Sequence, residues 1–174
     1  MGISQKLEAL QQELRPALNL GCGPDTIEGA DNVDLYADYP GVIQMDSRKL
    51  DYPDGKYALL VAHQLLEHMP LKEGKAALKE WRRVAKYGAR LIVSVPFLDG
   101  MLEIMNGRMP KVMYAVNVWI YGCPEKGPGM EHKALYSTGL LEECLQEAGW
   151  KVLEVHENYP VRYTPAVTII AEAV

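Results

Sequence analysis

The chain has 174 residues, 48% hydrophobic and 24% charged, which suits one folded domain with a core of useful size. A net charge of −5 argues against a protein that tracks nucleic-acid phosphates. Three cysteines (Cys22, Cys123, Cys144) without C-x-x-C spacing argue against a zinc knuckle or a disulfide frame, and no apolar run nears the ~18 residues of a membrane span.

The start, Met1 to Lys6, lacks a secretory apolar region and the myristoylation pattern. The expectation is a soluble cytoplasmic protein with reduced thiols and neither nucleic acid nor membrane as partner. Ile3, Leu7, Leu10 and Leu14 form one stripe of an N-terminal helix (1–15) that stops before Pro16. Ala17-Leu18-Asn19-Leu20 is a buried strand running into the glycine turn Gly21-Cys22-Gly23-Pro24. Short strands follow at 32–35 and 42–46, each carrying an acid at or near its end, and 57–62 is apolar enough to be covered on both faces.

Ala77, Leu78, Trp81, Val84 and Ala85 make the apolar stripe of a helix, which Gly88 is expected to end. The run Trp81-Arg82-Arg83 reads as its solvated edge. Residues 90–95 are a further buried strand. From Pro96 to about Tyr136 the sequence reads as irregular, with 97–136 expected to form an inserted acceptor or lid segment. Within it Met101, Met105, Met109 and Met113 recur every four residues, and Pro110 forbids a single helix. They read as gap-filling packing, ahead of an acceptor wall or a dimer contact. Thr138 is expected to cap a helix ending at Gly149, and strands at 151–155 and 166–171 close the chain. Strands alternating with helices predict an α/β fold, a mainly parallel sheet between helical layers whose ligand sits beyond the strands' carboxyl ends.

Polar punctuation falls at those ends. The glycine turn lets backbone approach a ligand, although an ordinary strand exit would look the same. Asp34 could accept both hydroxyls of an adenosine ribose. Asp46 could accept from an adenine amino group beside the Ser47 amide, or merely cap its own turn. Thr26 stands where a dinucleotide fingerprint needs its third glycine, and Asp34 follows Gly23 by eleven residues rather than about 20. Residues 24–31 leave no room for a long helix under a pyrophosphate. A nicotinamide oxidoreductase is disfavoured, and a phosphate-free adenosine fits better.

Leu18-Asn19-Leu20-Gly21-Cys22-Gly23, Asn32-Val33-Asp34, Gln44-Met45-Asp46, Leu65-Leu66-Glu67-His68 and Leu78-Lys79-Glu80-Trp81-Arg82-Arg83-Val84 resemble class I S-adenosylmethionine-dependent methyltransferases. The short type 11-like bacterial group, often found beside sugar and cell-surface genes, is the nearest in pattern. The resemblance covers about residues 16–150. It implies a Rossmann-like three-layer sandwich, a seven-stranded sheet with its last strand antiparallel, and a single methyltransferase domain over 1–174. The cofactor implied is S-adenosylmethionine, with S-adenosylhomocysteine as product. Gly21 and Gly23 would border its methionine part, Asp34 hold the ribose, Asp46 and Ser47 meet the adenine, and His63 and Gln64 line the site. Asn19, Cys22 and Leu35 complete the donor-binding set. The sequence departs from the family in having Asn19 for the usual acid, Asp25 for the third glycine, and Tyr87-Gly88-Ala89 for a Pro-Gly-Gly turn.

Transfer to a hydroxyl needs a base, and histidine suits. His132 is the preferred candidate because it lies in the segment expected to cover the acceptor, and His63 is the second. His68 is a weaker candidate, and His156 reads as a surface strand residue. A metal reading on His63, Glu67, His68 and His132 is weak, because the i, i+5 spacing of His63 and His68 does not stack on one helix face, and no metal is expected. The function expected is methyl transfer to oxygen or nitrogen of a small metabolite such as a sugar, by a monomer or homodimer. The alternative is a non-catalytic binding or scaffold protein on the same fold.

Overall fold

The computed structural model describes residues 3–108, 113–158 and 165–174. Its elements are α1 (Ile3–Glu13), β1 (Ala17–Leu20), β2 (Asp31–Asp34), β3 (Val42–Gln44), β4 (Tyr57–His63), α2 (Leu71–Val84), β5 (Ala85–Pro96), α3 (Leu98–Arg108), α4 (Met113–Tyr121), α5 (Thr138–Glu147), β6 (Trp150–Asn158) and β7 (Ala166–Ala173), with 3-10 turns at Leu66–His68 and Pro124–Lys126. The strands form one seven-stranded sheet in the order β3-β2-β1-β4-β5-β7-β6. β1 to β5 pair in parallel, and β7 lies antiparallel between β5 and β6. Strand order reverses beside β1, which opens a crevice at the carboxyl ends of β1 and β4.

Alternation along β1 divides the core. Leu18 and Leu20 face a cluster in which Leu78, Trp81 and Val84 of α2 and Leu141, Cys144 and Leu145 of α5 pack against the sheet. Ala17 faces the other way, with Leu59, Val61 and Ile92, and is covered by Leu10 of α1, by Leu14 just past its end and by Ile27 and Ala30 of a loop. Each fully buried Leu, Val or Phe of this kind contributes about 1.5–3 kcal/mol. Trp81 and Trp150 are buried with their indole N–H groups donating to Ser47 O at 2.9 Å and Leu78 O at 3.0 Å, so neither ring carries an unpaired polar atom inside. The side chains of Ile3 and Leu7 lie outside the described residues.

Several sequence expectations are corrected. α2 ends at Val84 and β5 begins at Ala85, so Gly88 (φ 75°) bends the start of a strand instead of terminating the helix. Arg82 and Arg83 are not a solvated edge. Arg83 donates to Leu50 O, Tyr52 O, Asp54 and Glu80, and Arg82 to Val174 O and Ala85 O, because the last helical turn abuts loop carbonyls that need donors. Ser137, one residue earlier than expected, caps α5 by accepting from Leu140 N.

The segment read as irregular holds two helices. Met101 of α3 is buried with Val116 and Trp119 of α4, and Ile104 and Met105 pack against them, as the gap-filling reading expects. Met109 and Pro110 lie outside the described residues, as does the Met113 side chain. Among the described residues no helix is long and apolar enough to cross a membrane.

Candidate active site

A cleft of about 1030 Å³ runs along the carboxyl ends of β1, β2, β3 and β4. The glycine turn forms its floor. Gly21 (φ 59°) and Gly23 (φ 51°) hold left-handed conformations that disfavour a Cβ. A Cβ on Gly21 would lie 2.5 Å from Leu65 Cδ1, whereas one on Gly23 would meet nothing within 4 Å. Gly21 is therefore required by packing, and Gly23 leaves bare backbone facing open space. Between them Cys22 is buried, and burial pushes its thiol up to about 11, so it stays protonated.

Asp34 ends β2 and lines the cleft. Its Oδ2 accepts from Gly23 N at 2.9 Å, and its Oδ1 from Tyr36 N and Ala37 N, both at 2.8 Å. A carboxylate offers about four acceptor positions. Roughly one remains, so Asp34 as folded has room for one ribose hydroxyl rather than two. Its other work is to tie the glycine turn to the loop after β2.

Asp46 and Ser47 also line the cleft, two and three residues past the end of β3. Arg48 covers Asp46, donating from its Nε and Nη2 to the carboxylate and from its backbone N to Oδ1 at 2.9 Å. That hydrogen-bonded guanidinium holds the carboxyl below its ordinary range. The turn-capping role weighed from sequence is thus present, and an adenine amino group would share Asp46 with Arg48. Ser47 is buried and fixed through its carbonyl by Trp81.

Asn19 has a role the sequence did not disclose. It is buried, and its Nδ2 donates to Asp25 O and to Asn32 Oδ1, both at 2.9 Å. Asn32 in turn accepts from Ile27 N and donates to Ile27 O and Ala30 O. The two amides stitch the helix-free loop 21–30 onto the sheet. A carboxylate at position 19 has no N–H with which to do this.

His63, the last residue of β4, opens to the cleft and its Nδ1 lies 2.5 Å from Ser94 Oγ. Partial desolvation in the concave site pulls its imidazole below the usual range, although much of its surface stays accessible. Gln64 follows with φ 51°, the one non-glycine residue at positive φ among those described, pinned by its N–H donating to Ser94 O at 2.9 Å. Backbone strain of this kind concentrates at ligand sites. Ser94 was missed from sequence; a lone hydroxyl inside the apolar run of β5 is the signal that could have found it.

Leu35, Tyr36, Met45 and Met69 complete much of the wall, and Lys126, Gly127, Pro128, Gly129 and Met130 reach it from the segment after α4. A Cβ on Gly129 would lie 2.5 Å from the Tyr36 ring, so the two sides touch there. His132 does not line the cleft. Its Nδ1 lies 2.9 Å from Trp119 O, its ring packs edge-on against His68 at 5.0 Å, and burial lowers its pKa. His68, by contrast, is in the cleft wall. His156 pairs with Glu154 at 3.0 Å on β6.

Residues 25–93 match the family model described as a methyltransferase domain. No curated protein matches the sequence. Among solved structures the chain is similar to the 1,6-didemethyltoxoflavin-N1-methyltransferase of Burkholderia thailandensis, which holds 1,6-didemethyltoxoflavin and S-adenosylhomocysteine (15% identity, 98% of this chain and 76% of that one, TM-score 0.69). It is similar too to a SAM-dependent methyltransferase of Methanosarcina mazei (16%, 91% and 92%, TM-score 0.63). A third is a possible histamine N-methyltransferase of Thermotoga maritima (17%, 98% and 87%, TM-score 0.62).

Proposed function

We propose that this chain is a class I S-adenosylmethionine-dependent methyltransferase and that it methylates an oxygen or nitrogen of a small metabolite such as a sugar. The observation that carries this reading is the cleft itself, where Gly23 leaves open backbone at one strand end and Asp34 keeps an acceptor position at the next.

When bound, the donor supplies a methyl group on a positively charged sulfur. The chain's task is then to bind, align and exclude water. The bend at 21–23 lies alongside the methionine part, with Asn19 and Cys22 beneath it. Asp34 takes a ribose hydroxyl through Oδ2, with Leu35 beside it. Asp46 and Ser47 meet the adenine. Among the described residues the cleft presents no cluster of free cations, which suits an adenosine without phosphate.

His63, with Gln64 beside it, is the base. It is neutral near pH 7 because desolvation depresses it, and in the tautomer whose Nδ1–H donates to Ser94 Oγ the other ring nitrogen is left to take a proton. His132 is a poorer base because it stands behind His68. Tyr36 and Tyr39, 57% and 50% exposed in the cleft wall, offer aromatic faces on which a sugar ring can stack.

Calorimetry with S-adenosylhomocysteine tests the donor half, and absence of binding at millimolar ligand removes it. A panel of sugars and amines, assayed for S-adenosylhomocysteine release, tests the acceptor. His63→Gln should lower turnover about 10²- to 10⁴-fold with donor affinity kept.

A further inference from the structure

Glu67, His68 and His132 meet behind the cleft wall. Glu67 and His68 are adjacent in the 3-10 turn that follows β4, and His132 arrives on the return from α4. Backbone hydrogen bonds clamp the two segments together. Glu67 O accepts from Lys133 N at 2.7 Å and Ala134 N at 3.2 Å, while His132 N donates to Tyr121 O at 3.0 Å. One potential ligand atom from each of the three residues lies within 4.8 Å of the others.

The hydrogen bonding around this cluster is unbalanced. Nδ1 of His68 lies 2.9 Å from Glu131 O, and Nδ1 of His132 lies 2.9 Å from Trp119 O. A carbonyl oxygen only accepts, so each Nδ1 carries the hydrogen and each neutral ring is left with a lone pair on Nε2. Glu67 is 1% exposed, and neither carboxylate oxygen has a hydrogen-bond partner. Two imidazoles, each with an unused lone pair, and a carboxylate without a hydrogen-bond partner therefore lie close together. Native interiors rarely leave such groups unmatched, and a buried anion without a counter-charge is among the costliest arrangements.

We propose that Glu67, His68 and His132 form a binding site for a divalent ion of the zinc class. Two imidazoles and one carboxylate suit zinc or a neighbouring transition metal better than magnesium or calcium, which prefer all-oxygen shells. Ligands about 2.0–2.2 Å from a tetrahedral ion stand about 3.3–3.6 Å apart, so small side-chain rotations close the set. The carbonyls of Glu131 and Trp119 are the outer partners that orient metal-binding imidazoles. Three protein ligands leave one position for water, or for a hydroxyl of the acceptor, since His68 also lines the cleft. The competing occupant is a proton on Glu67. Burial does push that carboxyl up to about 8.

The test uses the full chain, stripped with a chelator and titrated with Co²⁺. The expected result is one equivalent bound, the visible absorption of tetrahedral cobalt, and displacement by Zn²⁺. Zn²⁺ should also raise the melting temperature. Glu67→Gln and His132→Gln should each abolish the absorption and weaken Zn²⁺ binding at least ~10-fold, while S-adenosylhomocysteine binding shows that they fold. His156→Ala should bind as the parent does. No ion bound by the parent chain, or full binding by both cluster variants, overturns the proposal. A stripped protein that Zn²⁺ leaves unchanged in melting temperature also overturns it, in favour of the proton. Neither the spectroscopic nor the thermal readout depends on methyl transfer.

Discussion

Asn19→Asp introduces the acid usual in the methyltransferases this sequence resembles, yet it should destabilise this chain. The Asn19 amide makes two hydrogen bonds of 2.9 Å from a site only 4% exposed. Losing them forfeits about 1 kcal/mol each, and the abandoned acceptor Asp25 O adds up to about 1–3 kcal/mol where water cannot replace the donor, while Asn32 Oδ1 keeps its bond from Ile27 N. The expected loss is about 2–5 kcal/mol against a typical total of about 5–15. Urea unfolding measures it as a lower midpoint at unchanged slope, a shift of about 1–2 M. S-adenosylhomocysteine affinity of the folded fraction should hold or improve, because in the proposed pose a carboxylate at position 19 in the cleft wall would add a charge complementary to the ligand's ammonium. An unchanged midpoint would refute the stitching role of the two amides.

Gly21→Ala should cost about 1–3 kcal/mol and displace Leu65, given a φ of 59° and a contact of 2.5 Å, and thermal melts with and without S-adenosylhomocysteine would show both losses. Asp34→Ala frees three backbone N–H groups and should weaken S-adenosylhomocysteine binding at least ~10-fold by calorimetry, equivalent to about 1.4 kcal/mol. Trp81→Phe removes the donor to Ser47 O inside the core and should lower stability by about 1–3 kcal/mol in denaturant.

Arg48→Ala should return the Asp46 carboxyl toward 3.8 in an NMR titration. Because the folded value is depressed, the stability this contact supplies is present above the ordinary carboxylate pKa. It is lost as pH falls through the depressed value. With side chains about a third exposed the contribution stays below about 1 kcal/mol.

The order of apolar runs and turns along the chain determined much of the fold. Continuous apolar strands can only be buried on both faces, and alternation with helices makes their sheet mainly parallel, so β1, β2, β4 and α5 were legible within a residue or two. That Gly21, Gly23 and Asp34 stand at or just past strand ends was legible for the same reason, since strand exits are local events. Tertiary structure alone decided which side chains meet. That Asp34 is largely occupied by backbone N–H groups, that Asn19 holds Asn32 across two strands, and that Ser94 orients His63 from the neighbouring strand all depend on register. His132 moved from the expected acceptor wall to the side of His68 because the return from α4 is clamped to Glu67 O, a contact between residues far apart in sequence. Periodicity records how each segment buries its own face, and it carries no record of which distant polar group completes another's hydrogen bonding.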